Sequence, residues 1–111
     1  MVDDFKVTGT SNEDELAPVV ATTLHGNYPN PFNPETTISY SVKENTPVTI
    51  DIYNVKGQRV RTLVNEAKAS GTHTVTWNGT DNNGRNVSSG IYYYKMSAGK
   101  FSSTKKMILM K

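Results

Sequence analysis

Two histidines, His25 and His73, are the only imidazoles in the chain. A catalytic triad needs a nucleophile, a base and an orienting group within hydrogen-bond reach. His73 falls in strand register with Val75 and Trp77, and His25 lies beside a proline-rich stretch, so both are read as structural. Asp51 falls on the outward face of a strand and Asp81 at a turn tip, which gives no cleft for the paired carboxylates of glycoside hydrolysis. Asp81, Asn83 and Gly84 have the spacing of the start of a calcium loop. Calcium needs six to eight oxygens with a downstream bidentate acid, and no acidic residue follows Asp81. The stretch is therefore read as a plain turn. No cysteine is present, which excludes disulfides and thiolate metal sites. The expectation is a chain that is not an enzyme, with no catalytic, cofactor-binding or metal-ligating residue.

Two groups remain that suit recognition. Tyr92, Tyr93 and Tyr94 run consecutively. In a strand, Tyr92 and Tyr94 face one side and Tyr93 the other, so at least one set belongs to the core, with Tyr53 as an exposed neighbour. A stacking platform for sugars is one use of such aromatics, and core packing is the other. At the end of the chain, Lys100, Lys105, Lys106 and Lys111 flank Met107-Ile108-Leu109-Met110. Such lysines guard a sheet edge against aggregation, and they also suit a terminal strand offered to a receptor.

These residues are carried by a chain with the pattern of short strands. Ile38, Tyr40 and Val42 alternate with Thr37, Ser39 and Ser41, and Val48, Ile50 and Ile52 alternate with Thr49, Asp51 and Tyr53. Asn54-Val55-Lys56-Gly57 is a hairpin loop with Gly57 available for a positive φ, and Gln58–Val64 is the return strand. Asn65–Gly71 is expected to be a loop containing one helical turn. Thr72–Asn78 places His73, Val75 and Trp77 on one face. Asp81–Gly84 is a turn, Ile91–Ser97 a strand, Ala98-Gly99 a two-residue turn and Lys100–Met110 the last strand. Upstream, Val19–Leu24 is β-prone, and Asn27–Pro34 (NYPNPFNP) holds three prolines. Proline pushes its predecessor into extended geometry and cannot donate to a sheet, so this is a stiff, irregular connection with Phe32 as its anchor. Turn signals about every ten residues, with no helical period, predict an all-β antiparallel sandwich of about seven strands.

The 111 residues fit one domain. Twelve basic and ten acidic residues leave a net charge of +2, too balanced to predict nucleic-acid affinity. No apolar run is long enough for a membrane-spanning helix. The start, Met1-Val2-Asp3-Asp4, is acidic and has no apolar h-region. The chain is thus expected to be a segment of a longer exported protein.

Taken in order, several motifs resemble one family: NYPNPFNP at Asn27–Pro34, TTISYSV at Thr36–Val42 and DIYNVKGQRVRTL at Asp51–Leu63. GTHTVTWN at Gly71–Asn78, SGIYYY at Ser89–Tyr94 and TKKMILMK at Thr104–Lys111 follow. They resemble the C-terminal sorting domains, type A, of type IX secretion substrates, related to the immunoglobulin-like domain of the flagellar hook-capping protein. The turn Asp81–Val87 is closer to the hook-capping variant. The resemblance implies a seven-stranded immunoglobulin-like sandwich at the end of an exported enzyme, peptidase or adhesin. It implies recognition by an outer-membrane type IX translocon and cleavage by its sorting peptidase. Carried over by position, the recognition residues are Pro29, Asn30, Pro31, Phe32, Gly90, Tyr92, Lys105, Lys106 and Lys111.

The expected organisation is residues 1–9 as the last strand of a preceding cargo domain or a tail, 10–18 as a linker and 19–111 as the sorting domain. Cleavage is expected in the exposed, small-residue stretch Thr10–Val20. The resemblance also implies a monomer, in the periplasm in transit and then at the cell surface or outside the cell. Two other functions stand beside sorting: a structural hook-capping-type module supporting a neighbouring domain, and a carbohydrate-binding module.

Overall fold

The computed structural model describes residues 21–111. The expected last strand of a cargo domain, the linker and its cleavage stretch lie outside those residues. Seven strands follow one another: β1 (Thr23–Tyr28), β2 (Thr36–Val42), β3 (Thr46–Tyr53), β4 (Arg59–Lys68), β5 (Gly71–Trp77), β6 (Gly90–Ala98) and β7 (Phe101–Leu109). They form two antiparallel sheets, ordered β1-β2-β5 and β4-β3-β6-β7. This is the predicted all-β sandwich.

The alternation in the sequence becomes the two faces of each strand. Ile38, Tyr40 and Val42 of β2 meet Val48, Ile50 and Ile52 of β3 and Tyr92, Tyr94, Met96 and Ala98 of β6 in one buried core. Met107 and Leu109 add the inner face of β7, and Trp77 is fully buried at the end of β5. Val75 packs against the core and His73 is half-buried, as the shared face of Thr72–Asn78 requires.

Three boundaries differ from expectation. β1 continues to Tyr28, past the expected Val19–Leu24 and into the stretch expected to be an irregular connection, because Asn27 and Tyr28 still pair with Ile38 and Thr37 of β2. Asn65–Gly71 is not a loop with a helical turn. β4 continues to Lys68, because Asn65, Glu66, Ala67 and Lys68 pair with Thr49, Val48, Pro47 and Thr46. The helix-favouring composition of that stretch yields to the ladder offered by β3. The corner is only Ala69-Ser70, held by the Ser70 N–H donating to Asn45 Oδ1 and the Ser70 hydroxyl donating to the Lys43 carbonyl. The last hairpin turns at Gly99-Lys100, one residue later than expected, since Ala98 still pairs with Phe101. The Asn54–Gly57 loop is as predicted. The Asn54 N–H donates to the Gln58 carbonyl, and Gly57 sits at φ 81°.

Candidate functional site

The proline-rich connection from β1 to β2 runs alongside the end of β7. Phe32 drives its ring into the core, 5.7 Å from Trp77 and tilted by 58°, and Trp77 meets Tyr92 edge-on at 5.3 Å. The Phe32 backbone joins β7 as a one-residue parallel bridge to Leu109. Its N–H donates to the Ile108 carbonyl at 3.0 Å, and its carbonyl accepts the Met110 N–H at 2.8 Å. Asn30 extends the contact with its side chain. Oδ1 accepts the Ile108 N–H at 3.0 Å and Nδ2 donates to the Lys106 carbonyl at 3.4 Å. The loop is tied down by Asn27, whose Nδ2 donates to Thr36 Oγ1 and whose Oδ1 accepts the Tyr94 hydroxyl. The Thr36 hydroxyl in turn donates to the Pro29 carbonyl. Proline-free positions of this loop thus supply the ladder that its prolines cannot.

The predicted recognition residues separate into a joined group and an exposed group. Phe32, Gly90 and Tyr92 are joined: Gly90 pairs with Leu109, which is bridged to Phe32, and Tyr92 reaches Phe32 through Trp77. The Tyr92 hydroxyl donates to the Ser88 carbonyl at 2.6 Å. Pro29, Asn30, Pro31, Lys105, Lys106 and Lys111 are exposed. Lys105 and Lys106 point to opposite faces, since Lys105 is opposite buried Tyr94 and Lys106 opposite exposed Tyr93. Lys105 stands at the mouth between the sheets, beside His25, Asn27 and Tyr94. Burial pushes the Tyr94 phenol up to about 12 and raises that of Tyr92.

The FlgD Ig-like domain model matches residues 31–101. The chain belongs to the FlgD Ig-like domain family. Two solved structures share the fold, both from Porphyromonas gingivalis. PorZ, described as an essential bacterial surface component of the type-IX secretion system, aligns over 77% of this chain at 23% identity with a TM-score of 0.55. Dimeric latent PorU aligns over 87% at 22% identity with a TM-score of 0.65. This chain spans only 11% and 10% of those two chains, and likeness at these identities shows the fold alone. No curated protein is significantly similar in sequence. The FlgD Ig-like match leaves out β1 and all of β7 except Phe101, so the bridge between Phe32 and Leu109 has one end inside the match and one outside.

Within this FlgD Ig-like domain, the polar groups that suggested chemistry are occupied by structure. The Asp51 carboxylate accepts the Thr62 hydroxyl at 2.6 Å. Asp81 Oδ1 accepts the backbone N–H groups of Asn83 and Arg85. The Arg85 N–H, then that of Asn83, holds the carboxyl below its usual range. Its oxygen closes the turn. Among the described residues, no three His, Cys, Asp or Glu side chains lie close enough to hold a metal, and no helix is long and apolar enough to cross a membrane.

One pairing was not foreseen. His25 Nε2 lies 2.6 Å from Ser41 Oγ, which is 3.0 Å from Thr72 Oγ1. Ser41 is buried and shares its hydroxyl with Thr72, so the three groups form a polar brace across β1, β2 and β5. A register shift between Leu24 and Gly26 brings His25 into reach, and a bulge of that kind leaves no mark in the residue alternation.

Proposed function

We propose that this domain is a non-catalytic C-terminal sorting domain that directs a secreted cargo through the type IX translocon, recognised as a folded body by its surface and C-terminal strand. The observation that carries the reading is the bridge from Phe32 to Leu109. It makes the proline-rich motif, the Gly90–Tyr92 motif and the terminal strand parts of one folded unit. The likeness to PorZ, a type IX surface component, supports the setting. The partners are an outer-membrane translocon and its sorting peptidase, with a cargo domain joined ahead of residue 10. The domain passes through the periplasm as a monomer and reaches the surface or the medium.

The FlgD Ig-like match favours a second reading, a structural module that supports a neighbouring domain and persists in the mature protein. A reporter carrying a periplasmic export signal separates the two in a type IX-competent host. Deleting Lys105–Lys111 is a poor control, because it removes Met107 and Leu109 from the core. The triple variant Lys105→Ser, Lys106→Ser, Lys111→Ser keeps the core and removes the terminal charge. Sorting predicts reporter in the medium or on the surface for the whole chain and a reduced yield for the variant. Retention of the whole-chain fusion in the periplasm, while the host's own substrates leave, would favour the structural module.

A further inference from the structure

The edge of β7 is an obvious place for a partner strand to add, but its terminal half is taken. The ladder groups of Lys106, Ile108 and Met110 that point away from β6 bond to Asn30 and Phe32. Any partner that reads the terminal motif must therefore find it elsewhere than on this length of edge.

The two outer faces of the sandwich are unlike. On β2 and β5 the outer positions are Thr37, Ser39, Ser41, Thr72, Thr74 and Thr76, paired hydroxyl against hydroxyl. They are small and uncharged. The outer face of the four-stranded sheet carries large and charged groups in register. One row reads Arg59, Tyr53, Tyr93, Lys106 from β4 to β7, and the next pairs Ile91 with Ile108. Among the described residues, four of the five exposed large hydrophobic ones fall on this face or at its end: Val55, Ile91, Tyr93 and Met110, between 36% and 66% exposed; the fifth, Tyr28, lies on β1 opposite Thr37 in the other sheet. Val55 sits in the β3–β4 turn and Met110 just past β7, both at the end of the sheet where the Ile91–Ile108 pair lies.

Charge around this apolar centre has one prevailing sign. Arg59 and Lys106 end the tyrosine row, Lys95 stands opposite Asp51, and Lys56 and Lys111 lie at the same end of the sheet. Two carboxylates stand against these five cations: Asp51, bonded to Thr62, and Asp81, in the loop beside Arg59 and bonded to its own turn. Four strands about 4.8 Å apart, with two outward rows about 7 Å apart, give a centre of on the order of 200 Å². That suits the dry middle of a standard protein interface, with the cations as its rim. Tyrosine is among the side chains most enriched at such centres.

We infer that the outer face of the four-stranded sheet is the docking surface for a protein partner that presents carboxylates around an apolar patch. The inference rests on the sorting reading and assigns it a surface, with Tyr53, Ile91 and Tyr93 as anchors and Arg59, Lys95 and Lys106 as the charged rim. The terminal lysines then have separate uses by register: Lys106 shares the row of Tyr93 on this face, and Lys105 shares that of Tyr94 on the other.

The test uses the whole chain fused to the exported reporter in a type IX-competent host. Two variants alter only the face: Ile91→Ser with Tyr93→Ser, and Lys95→Glu with Lys106→Glu. A third, Thr74→Glu with Thr76→Glu, alters the opposite face. The purified domains are first shown to melt as the parent does, followed by Trp77 fluorescence. In parallel, the photoreactive residue p-benzoylphenylalanine is placed at position 93 or 74, and adducts are identified by mass spectrometry. The inference predicts an exported fraction about tenfold lower or less for the first two variants, as loss of one hot spot gives. It also predicts parental export for the third, and one acidic-surfaced protein cross-linked from position 93 but not from 74. Export of the folded face variants at the parental level would overturn it, as would an adduct from 74 alone. So would face-dependent binding of the purified domain to phosphatidylglycerol vesicles or to a polysaccharide in place of a protein adduct. If the parent fusion itself is not exported, the sorting reading fails, and the inference falls with it.

Discussion

Replacing Phe32 with alanine tests the bridge that joins the proline-rich loop to the terminal strand. The ring is 2% exposed and lies against Trp77, which is itself packed on Tyr92. Truncating a buried phenylalanine to alanine costs about 3–5 kcal/mol in transfer and cavity energy. About 0.5–1.5 kcal/mol of aromatic geometry with Trp77 is included in the upper part of that range. The backbone bonds of residue 32 to Ile108 and Met110 do not depend on the side chain, but without the ring they hold a loop that has lost its anchor. A domain of this size is stable by about 5–13 kcal/mol, and each kcal/mol moves its melting point by roughly 4–8 °C. The variant should therefore melt at least about 12 °C below the parent. The assay is thermal and urea unfolding by far-ultraviolet circular dichroism, with the fluorescence of the single tryptophan, Trp77, as a local probe. Phe32→Leu, which keeps most of the volume, should lose less than half as much. A Phe32→Ala loss under about 1 kcal/mol would refute the anchoring role of the ring.

Other consequences are smaller and more local. Asn30→Ala removes two side-chain bonds to β7 and should cost about 1 kcal/mol, with faster hydrogen exchange at the Ile108 amide but not at the Phe32 amide. Equal exchange at Ile108 in both proteins would show that the side chain does not cap the edge. Gly57 has φ 81°, and a methyl group on its Cα would meet nothing within 4 Å, so Gly57→Ala should cost about 1–2 kcal/mol for backbone conformation alone. Gly57→Asn should recover most of that loss in the same urea titration. Tyr94 has its folded phenol pushed up from 10.0 to about 12 by burial. A raised folded value means the stabilisation is whole below pH 10 and is lost as pH rises from 10 through 12. Tyrosinate absorbance from Tyr94 should accordingly appear together with unfolding. Ionisation of Tyr94 in a protein that stays folded near pH 10 would contradict its burial.

The sheets were legible where a strand divides core from solvent. Ile38, Tyr40 and Val42, and Val48, Ile50 and Ile52, are inward because their neighbours are polar and outward, and the same alternation separates Tyr93 from Tyr92 and Tyr94. Trp77 and Phe32 could be named as anchors, since a large aromatic beside turn residues has few other places to go. Asn65–Lys68 was not legible as strand. All four residues pair with β3, yet three of them are exposed, so no apolar alternation marks them. Asn30 acts through partners 76 and 78 positions away, a closeness that only the assembled sandwich creates. Lys105 and Lys106 read as one motif in the sequence. The pleat of β7 sends them to different faces, and that follows from the alternation only once the inner face of the strand is known.

Sorting, on the reading proposed above, acts on a folded body and not on a linear tail. The direct measurement is the exported fraction of reporter fusions plotted against the stability of the fused domain for the parent, Gly57→Ala, Asn30→Ala, Phe32→Leu and Phe32→Ala. All five keep the terminal sequence Lys105–Lys111 intact. Recognition of the fold predicts that export follows the folded fraction, near the parental level for the mild variants and lost once Phe32→Ala is unfolded at the growth temperature. Export of an unfolded Phe32→Ala fusion at the parental level would contradict that and return the signal to the terminal residues alone.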